Sequence, residues 1–394
     1  FLRLLETVSH SPKQKIASLE CLEEHEKSKI FALARGEQKE ISKQWFEHVE
    51  QIFRQFPNKK ALVAQGESLT WEEVEQASNA IASKLENHIS KGQFVPILSR
   101  KTKFLVPGIL GIMKAGGVYL PLDENYPLAR LEFILKDCQA TLVVSDYPAE
   151  QGKFQVPVLE LEALAAEGNT GARPWQLSAS DTAYLIYTSG STGMPKGAQI
   201  SHGSLSNLCQ WHREYYAINE HTVSGQYASL NFDASILEIF PYLSAGSEIH
   251  FLPEDIRYNI HLLNQYYHDH QVDIGFLPTQ LAEEFMELPN GHLTKLLVGG
   301  ERLKKIGAVS YGVYNNYGPT ESTVVAAVSQ VSPKDRITIG SPILNHEILI
   351  LDQDQNLVPT GFIGEICIAG AGLSSGYLNR EELTAERFID HPFR

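Results

Sequence analysis

Cysteine is scarce in this sequence. Cys21, Cys138, Cys209 and Cys367 lie far apart, and no C-x-x-C pair occurs. That spacing argues against a disulfide framework or a zinc site and fits reduced thiols. No apolar run is long enough to span a bilayer, and the opening FLRLLETVSHSPKQKIASLE has no uninterrupted apolar stretch of signal-peptide type. The expectation is a soluble, cytoplasmic protein without a membrane partner. Positive charge is in deficit: 33 Lys and Arg stand against 47 Asp and Glu, a formal net charge of −14. Broad electrostatic capture of nucleic acid is therefore not expected. An anionic nucleotide remains admissible, because loops and helix starts offer local positive ends whatever the net charge. Internal repeats and low-complexity tracts are also missing.

What is present is globular material: 43% of the 394 residues are hydrophobic and 20% charged, which argues against disorder. The length exceeds a usual single core, so two or more subdomains are expected. Residues 1–40 are charged, with a weak helical period and a second helical stretch near 23–33. From Trp45 onward, apolar strands alternate with amphipathic helices. Strands are predicted at 94–98, 118–122, 140–144, 183–187, 248–252, 273–277 and 295–298, and helices at 104–114, 128–137, 204–216, 235–243, 259–270 and 280–288. Repeated β-then-α order implies mainly parallel sheets covered by helices on both faces. After Ile337 the helices vanish, and short strands at 348–351, 357–358 and 364–369 predict a small β-barrel or β-layer. The boundaries drawn are 1–40, 41–336 and 337–394.

Three segments carry chemistry. In YLIYTSGSTGMPKG (184–197) a β-run ends in hydroxyls and glycines and closes with Pro195, Lys196 and Gly197. Glycine N–H groups can form an anion-binding concavity, the hydroxyls add donors, and Lys196 adds a point charge for phosphate. A Walker A loop is excluded by spacing and by Ala198 after Gly197. In NNYGPTE (315–321) an aromatic ring can stack on a base, a hydroxyl can reach a phosphate, and a carboxylate suits Mg2+, a hard cation. In NFDASILEIF (231–240) an Asp opens an apolar helix, which alone reads as a cap.

The segment YTSGSTGMPKG resembles the signature phosphate loop of the adenylate-forming superfamily, which includes nonribosomal peptide synthetase adenylation domains, acyl- and aryl-CoA ligases and luciferases. NNYGPTE is similar to that family's second ATP motif. LTWEEV (69–74), MKAGGVYLPLD (113–123) and GEICIAGAGLSSGYL (364–378) resemble further motifs in the family's order. The resemblance implies an α/β fold of two mainly parallel helix-covered sheets plus a small C-terminal β-barrel. It implies ATP and Mg2+ as cofactors. Thr188, Ser189, Gly190, Ser191, Thr192, Gly193 and Lys196 would hold the β- and γ-phosphates. Gly300, Asn315, Asn316, Tyr317 and Gly318 would frame the nucleotide, with Asn315 on the adenine amino group and Tyr317 on its face. Thr320 would reach the α-phosphate, and Glu321 would hold Mg2+; Thr320, Glu321 and Lys196 form the implied catalytic set.

The resemblance also bears on the substrate. Asp233 matches the family aspartate that pairs with an amino-acid ammonium, which acyl-CoA ligases normally lack. The matching specificity positions are Asp233, Ala234, Leu237, Phe276, Leu297, Gly299, Asn316, Val324 and Val325, with Phe232 beside them. Nothing in this set except Asp233 is charged, so a charged substrate side chain would be left unpaired. The implied substrate is leucine, with other large apolar residues next. Residues 1–40 resemble a condensation–adenylation linker, implying an upstream condensation domain and a downstream carrier domain as partners. The family's ribose-binding aspartate and lysine-bearing C-terminal domain have no counterpart here, so weak turnover is expected of this chain alone. The competing readings are an acyl- or aryl-CoA ligase, which Asp233 disfavours, and a non-catalytic nucleotide-binding scaffold, which intact Lys196, Thr320 and Glu321 disfavour. His268-Asp269-His270 reads as a solvated helix end, not a metal site, and His202 and His212 carry no catalytic assignment.

Overall fold

A computed structural model describes residues 5, 8–10, 13, 22–147, 154–167, 170–171, 173–189 and 194–394. Its strands in chain order are β1 (Lys60–Ala64), β2 (Glu67–Thr70), β3 (Phe94–Leu98), β4 (Val118–Leu122), β5 (Val143–Ser145), β6 (Val158–Glu160), β7 (Thr182–Ser189), β8 (Pro195–Ser201) and β9 (Val223–Gln226). They continue with β10 (Glu248–Phe251), β11 (Ile274–Pro278), β12 (Lys295–Gly299), β13 (Gly312–Tyr317), β14 (Ala327–Val331), β15 (Ser341–Pro342), β16 (His346–Leu351) and β17 (Glu365–Gly370).

Two large sheets form. The smaller has the order β6-β5-β3-β4-β7-β8 and is parallel except for the β7–β8 hairpin. The larger runs β15-β14-β13-β12-β11-β9-β10-β1-β2, with a parallel centre from β13 to β1 and antiparallel edges. Parallel strands are buried on both faces, which is why they read as continuous apolar runs. In β11, Phe276 joins the apolar cluster between the sheets while its neighbour Leu277 joins the outer one. Leu297 and Leu296 divide in the same way along β12. The inner cluster is continuous from Val95, Ile97 and Tyr184 of the smaller sheet to Ile249, Phe276 and Leu297 of the larger.

The helices begin where their caps allow. Thr70 accepts from the Glu73 amide and Glu73 accepts from the Thr70 amide, a reciprocal box that starts the helix Trp71–Leu85. Ser201 accepts from the Ser204 amide at the start of His202–Tyr215. Asn259 does the same for Ile260–Asp269, which ends at the His268-Asp269-His270 stretch. No helix among the described residues is long and apolar enough to cross a membrane. The three cysteines among them are free.

The chain places β10 on one side of β9 and β11 on the other. This reversal puts a crevice beyond the carboxyl ends of β9 and β11, the usual ligand position in an open parallel sheet. At the C-terminal end the short strands pair as β16–β17, with a bridge from Leu351 to Leu357. They form an open two-stranded β-layer, and no closed barrel is present among the described residues; after the Asp352–Asn356 turn the chain adds only the Leu357 bridge and a bond from Val358 N to Ile350 O. The helix Glu24–Ala34 packs on this layer, with Leu22 and Ala34 against Leu349, Leu351 and Leu357.

Candidate functional site

β7 and β8, which precede and follow the Ser/Gly segment in the chain, pair as a hairpin, Thr188 with Lys196 and Ser189 with Pro195. Gly190, Ser191, Thr192 and Gly193, together with the Ser189 side chain, lie outside the described residues. The Thr188 hydroxyl is buried with no hydrogen-bond partner among the described residues, a polar group that calls for one.

Lys196 points along the hairpin to Glu321. Its Nζ donates to Glu321 Oε1 at 2.8 Å and to the Tyr377 hydroxyl at 2.7 Å, and Tyr377 donates to Glu321 Oε1 at 2.6 Å. Burial pushes the Glu321 carboxyl up, but the bonds from Lys196 and Tyr377 outweigh it and hold the group below its ordinary value. Burial likewise works to lower Lys196, and the same partners raise it overall. Tyr377 is placed by a segment that hydrogen-bonds along β8: Gln199 donates to Gly376 O, and Leu378 to Gly197 O. The motif residues up to Tyr317 belong to β13, and Thr320–Ser322 forms a 3-10 turn beyond it. Ser374 N donates to Glu321 O, and Thr323 Oγ1 donates to Gly372 O at 2.5 Å, so the C-terminal layer clamps this turn. Gly318 is required there: a Cβ would sit 2.5 Å from Val324 O. Thr323 and Val324 then follow with φ of 54° and 73°. Such a conformation is costly for β-branched residues, by about 1–3 kcal/mol each.

Asp233 arrives from the loop after β9. It makes no capping hydrogen bond to its helix Ala234–Ala245. Instead its Oδ2 accepts from Thr320 Oγ1 at 2.5 Å. Burial raises its carboxyl above the ordinary value; Thr320 opposes the shift and the Glu321 charge adds to it. Behind it, Leu237, Phe276, Leu297, Val324 and Val325 are buried in one apolar cluster, with Ala234 packed on it. A Cβ on Gly299 would meet Asn316 O at 3.0 Å and Phe276 Cε2 at 3.4 Å, which places all three positions together. Asn316 is tied at both ends of its amide: its Oδ1 accepts from the Tyr216 hydroxyl at 2.7 Å and its Nδ2 donates to Tyr314 O at 3.1 Å. Phe232 stands apart, 64% exposed.

A cleft of about 990 Å³ opens beside these residues, lined by Gly300, Asn315, Tyr317, Gly318 and the stretch 337–339. Asn315 there donates to Thr338 O at 2.8 Å. A second cleft of about 1050 Å³ adjoins Lys196, Glu321, Tyr377 and Arg380. Among the described residues no group of three or more His, Cys, Asp or Glu could hold a metal by itself. A single carboxylate is compatible with Mg2+, which keeps waters and takes one or two carboxylates plus substrate phosphate oxygens; Glu321 lines the second cleft. His202 and His212 are core residues. Trp45 Nε1 donates to His202 Nδ1 at 3.1 Å, and the His212 ring packs on Tyr216 and Tyr242.

Sequence reasoning assigned no role to Tyr377, although it lies within the GEICIAGAGLSSGYL segment. It also passed over Glu238, a lone carboxylate in an apolar helix, and Tyr184, a buried phenol whose proton is held by burial and by the nearby Asp233 charge.

The family model described as AMP-binding enzyme matches residues 49–378. Bacitracin synthase 1 of Bacillus licheniformis is 37% identical over 401 residues, covering 100% of this chain and 8% of that protein. Surfactin synthase subunit 2 of Bacillus subtilis (strain 168) is 37% identical over 408 residues, covering 100% of this chain and 11% of its own length. The chain therefore spans about a tenth of the length of these curated relatives. Among solved structures, a four-domain nonribosomal peptide synthetase bound to AMP and glycine superposes with a TM-score of 0.86 at 28% identity, over 99% of this chain and 30% of that one.

Proposed function

The chain belongs to the AMP-binding enzyme family, and from that premise we propose that it activates an apolar α-amino acid, leucine foremost, as an aminoacyl adenylate. The observation that carries the reading is Asp233. Its carboxylate follows β9, buried, bonded to Thr320 and with the charge of Glu321 acting on it. An ammonium group is the natural counter-charge for such a site. Beyond it lies the apolar wall of Leu237, Phe276, Leu297, Val324 and Val325, with room left by Gly299. In the reaction a carboxylate oxygen of the amino acid attacks the α-phosphorus of ATP. A new O–P bond forms, the bond to the β-phosphate oxygen breaks, and pyrophosphate leaves with the electron pair.

The chain's own groups have separable parts in this. Asp233 orients the ammonium, Thr320 presents a hydroxyl toward the α-phosphate, and Thr188 and Lys196 receive the outer phosphates. Mg2+ held with the nucleotide at Glu321 would supply charge neutralisation. Lys196 leaves Glu321 for phosphate when nucleotide arrives. The adenylate would then pass to the phosphopantetheine thiol of a carrier domain, and residues 1–40, whose helix Glu24–Ala34 packs on the β16–β17 layer, would join an upstream condensation domain. Amino-acid-dependent exchange of labelled pyrophosphate into ATP tests the reading, with leucine compared against valine, phenylalanine, lysine and octanoate. Exchange strongest with octanoate would overturn it.

A further inference from the structure

We infer that Glu238 and Lys101 are positioning residues for amino-acid recognition, fixing the loop that delivers Asp233. The inference rests on the amino-acid reading above and adds to it the device that sets the geometry of the ammonium site.

Between Gln226, the end of β9, and Asp233 the chain has no regular structure, yet Tyr227, Ala228 and Leu230 are buried. A buried loop must find partners for its peptide groups. Here charged side chains supply them. Glu238 Oε1 accepts from Tyr227 N at 2.8 Å, and its Oε2 accepts from Ala228 N at 2.9 Å and from Gln226 Nε2 at 2.8 Å. From the opposite side Lys101 Nζ donates to Tyr227 O at 3.3 Å and to Ala228 O at 3.0 Å. Two consecutive residues, Tyr227 and Ala228, thus have both their N–H and their C=O groups held.

The origins of the two side chains matter. Glu238 sits on the helix that starts just after Asp233, so its carboxylate ties that helix back to the end of β9. Lys101 leaves the end of β3 in the other sheet, with φ of 57°. The pair therefore spans the two sheets and sets the position of the Asp233 loop against both. Arg257 closes the third side: its guanidinium lies 5.0 Å from the Tyr227 ring centre and reaches Ser229 Oγ at 3.4 Å, held by Glu254. Burial pushes the Glu238 carboxyl up and the Lys101 ammonium down, each opposed by its partner's charge. An apolar pair would avoid that desolvation but leave the Tyr227 and Ala228 peptide groups without these partners, so the charged pair fixes the geometry of the loop.

The test separates positioning from general support. Leucine and ATP affinities are measured by calorimetry on the wild-type chain, Glu238→Gln and Lys101→Met, with thermal melts of each. Glu238→Gln keeps the shape but turns an amide NH2 toward backbone N–H groups; Lys101→Met leaves the Glu238 bonds intact and serves if the first variant does not fold. Expected is a loss of leucine affinity of tenfold or more with ATP affinity within threefold. Partial recovery in Lys101→Arg is also expected. In the wild-type chain, the Tyr227 and Ala228 amides should exchange hydrogen as slowly as those of the core strands. Parallel weakening of leucine and ATP, unchanged leucine affinity in a folded variant, or fast exchange at those amides overturns the inference. A wild-type chain that binds no α-amino acid overturns the functional reading beneath it instead.

Discussion

Replacing Gly299 by alanine tests the shape of the pocket with a single methyl group. Gly299 closes β12, and its φ lies outside the left-handed region, so alanine fits the backbone without strain. The methyl would meet Asn316 O at 3.0 Å and Phe276 Cε2 at 3.4 Å. Neither neighbour yields easily. Asn316 belongs to paired β13 and its side chain is tied to Tyr216, while Phe276 is buried in β11. The methyl therefore takes up space that a branched substrate side chain would occupy. Overpacking of this kind costs about 1–3 kcal/mol, roughly five- to 150-fold in affinity. Leucine affinity should fall by that factor, alanine affinity should change less than threefold, and ATP affinity should hold. Calorimetric titration with each amino acid reads all three. An unchanged ratio of leucine to alanine affinity would refute the placement of Gly299 at the side-chain end of the site.

Asp233→Asn should weaken leucine by about 3 kcal/mol or more, over a hundredfold, because an ammonium would be buried without its counter-charge; the titration above measures it, with ATP as the internal control. Because burial holds Asp233 above its ordinary value, leucine affinity should begin to fall, as pH is lowered, before ordinary carboxylates titrate; an affinity flat down to the ordinary carboxylate range would contradict this. Lys196→Gln should weaken ATP by about 1.5–3 kcal/mol, the worth of a hydrogen bond to a charged group, and leave leucine within threefold. Burial lowers His212 to about 3, so the unfolded chain takes up its proton near 6.5 while the folded one does not. Stability then rises with pH and is lost on acidification, by about 2 kcal/mol for this group between pH 7.5 and 5. In His212→Phe the difference between urea midpoints at those two pH values should shrink.

Much of the fold is legible in local patterning. β3, β4 and the helix Leu128–Asp137 are apolar runs bounded by turn signals, and they form where the pattern predicts. β8 is not legible, because Pro-Lys-Gly opens it and reads as loop; its extended form comes from pairing with β7 and with the Gly376–Leu378 stretch. β13 is similarly hidden: GVYNNY lacks apolar alternation and becomes a strand because β12 and β14 flank it. Leu357 and Val358 look strand-like, yet their stretch yields only a bridge to Leu351. In the site, Lys196, Thr320, Glu321 and Asp233 are legible because each lies in a contiguous motif. Lys101 lies in no such motif, and Tyr377 lies in one without its role being legible, because what both do depends on partners far away in sequence, and no local pattern records a tertiary contact.

The central claim is recognition of an α-amino acid rather than a bare carboxylic acid, and leucine against 4-methylpentanoate tests it most directly, since the two differ only in the ammonium group. Titrated into the chain in the presence of a non-hydrolysable ATP analogue, leucine is expected to bind at least a hundredfold more tightly. Equal affinities, or tighter binding of 4-methylpentanoate, would contradict the account.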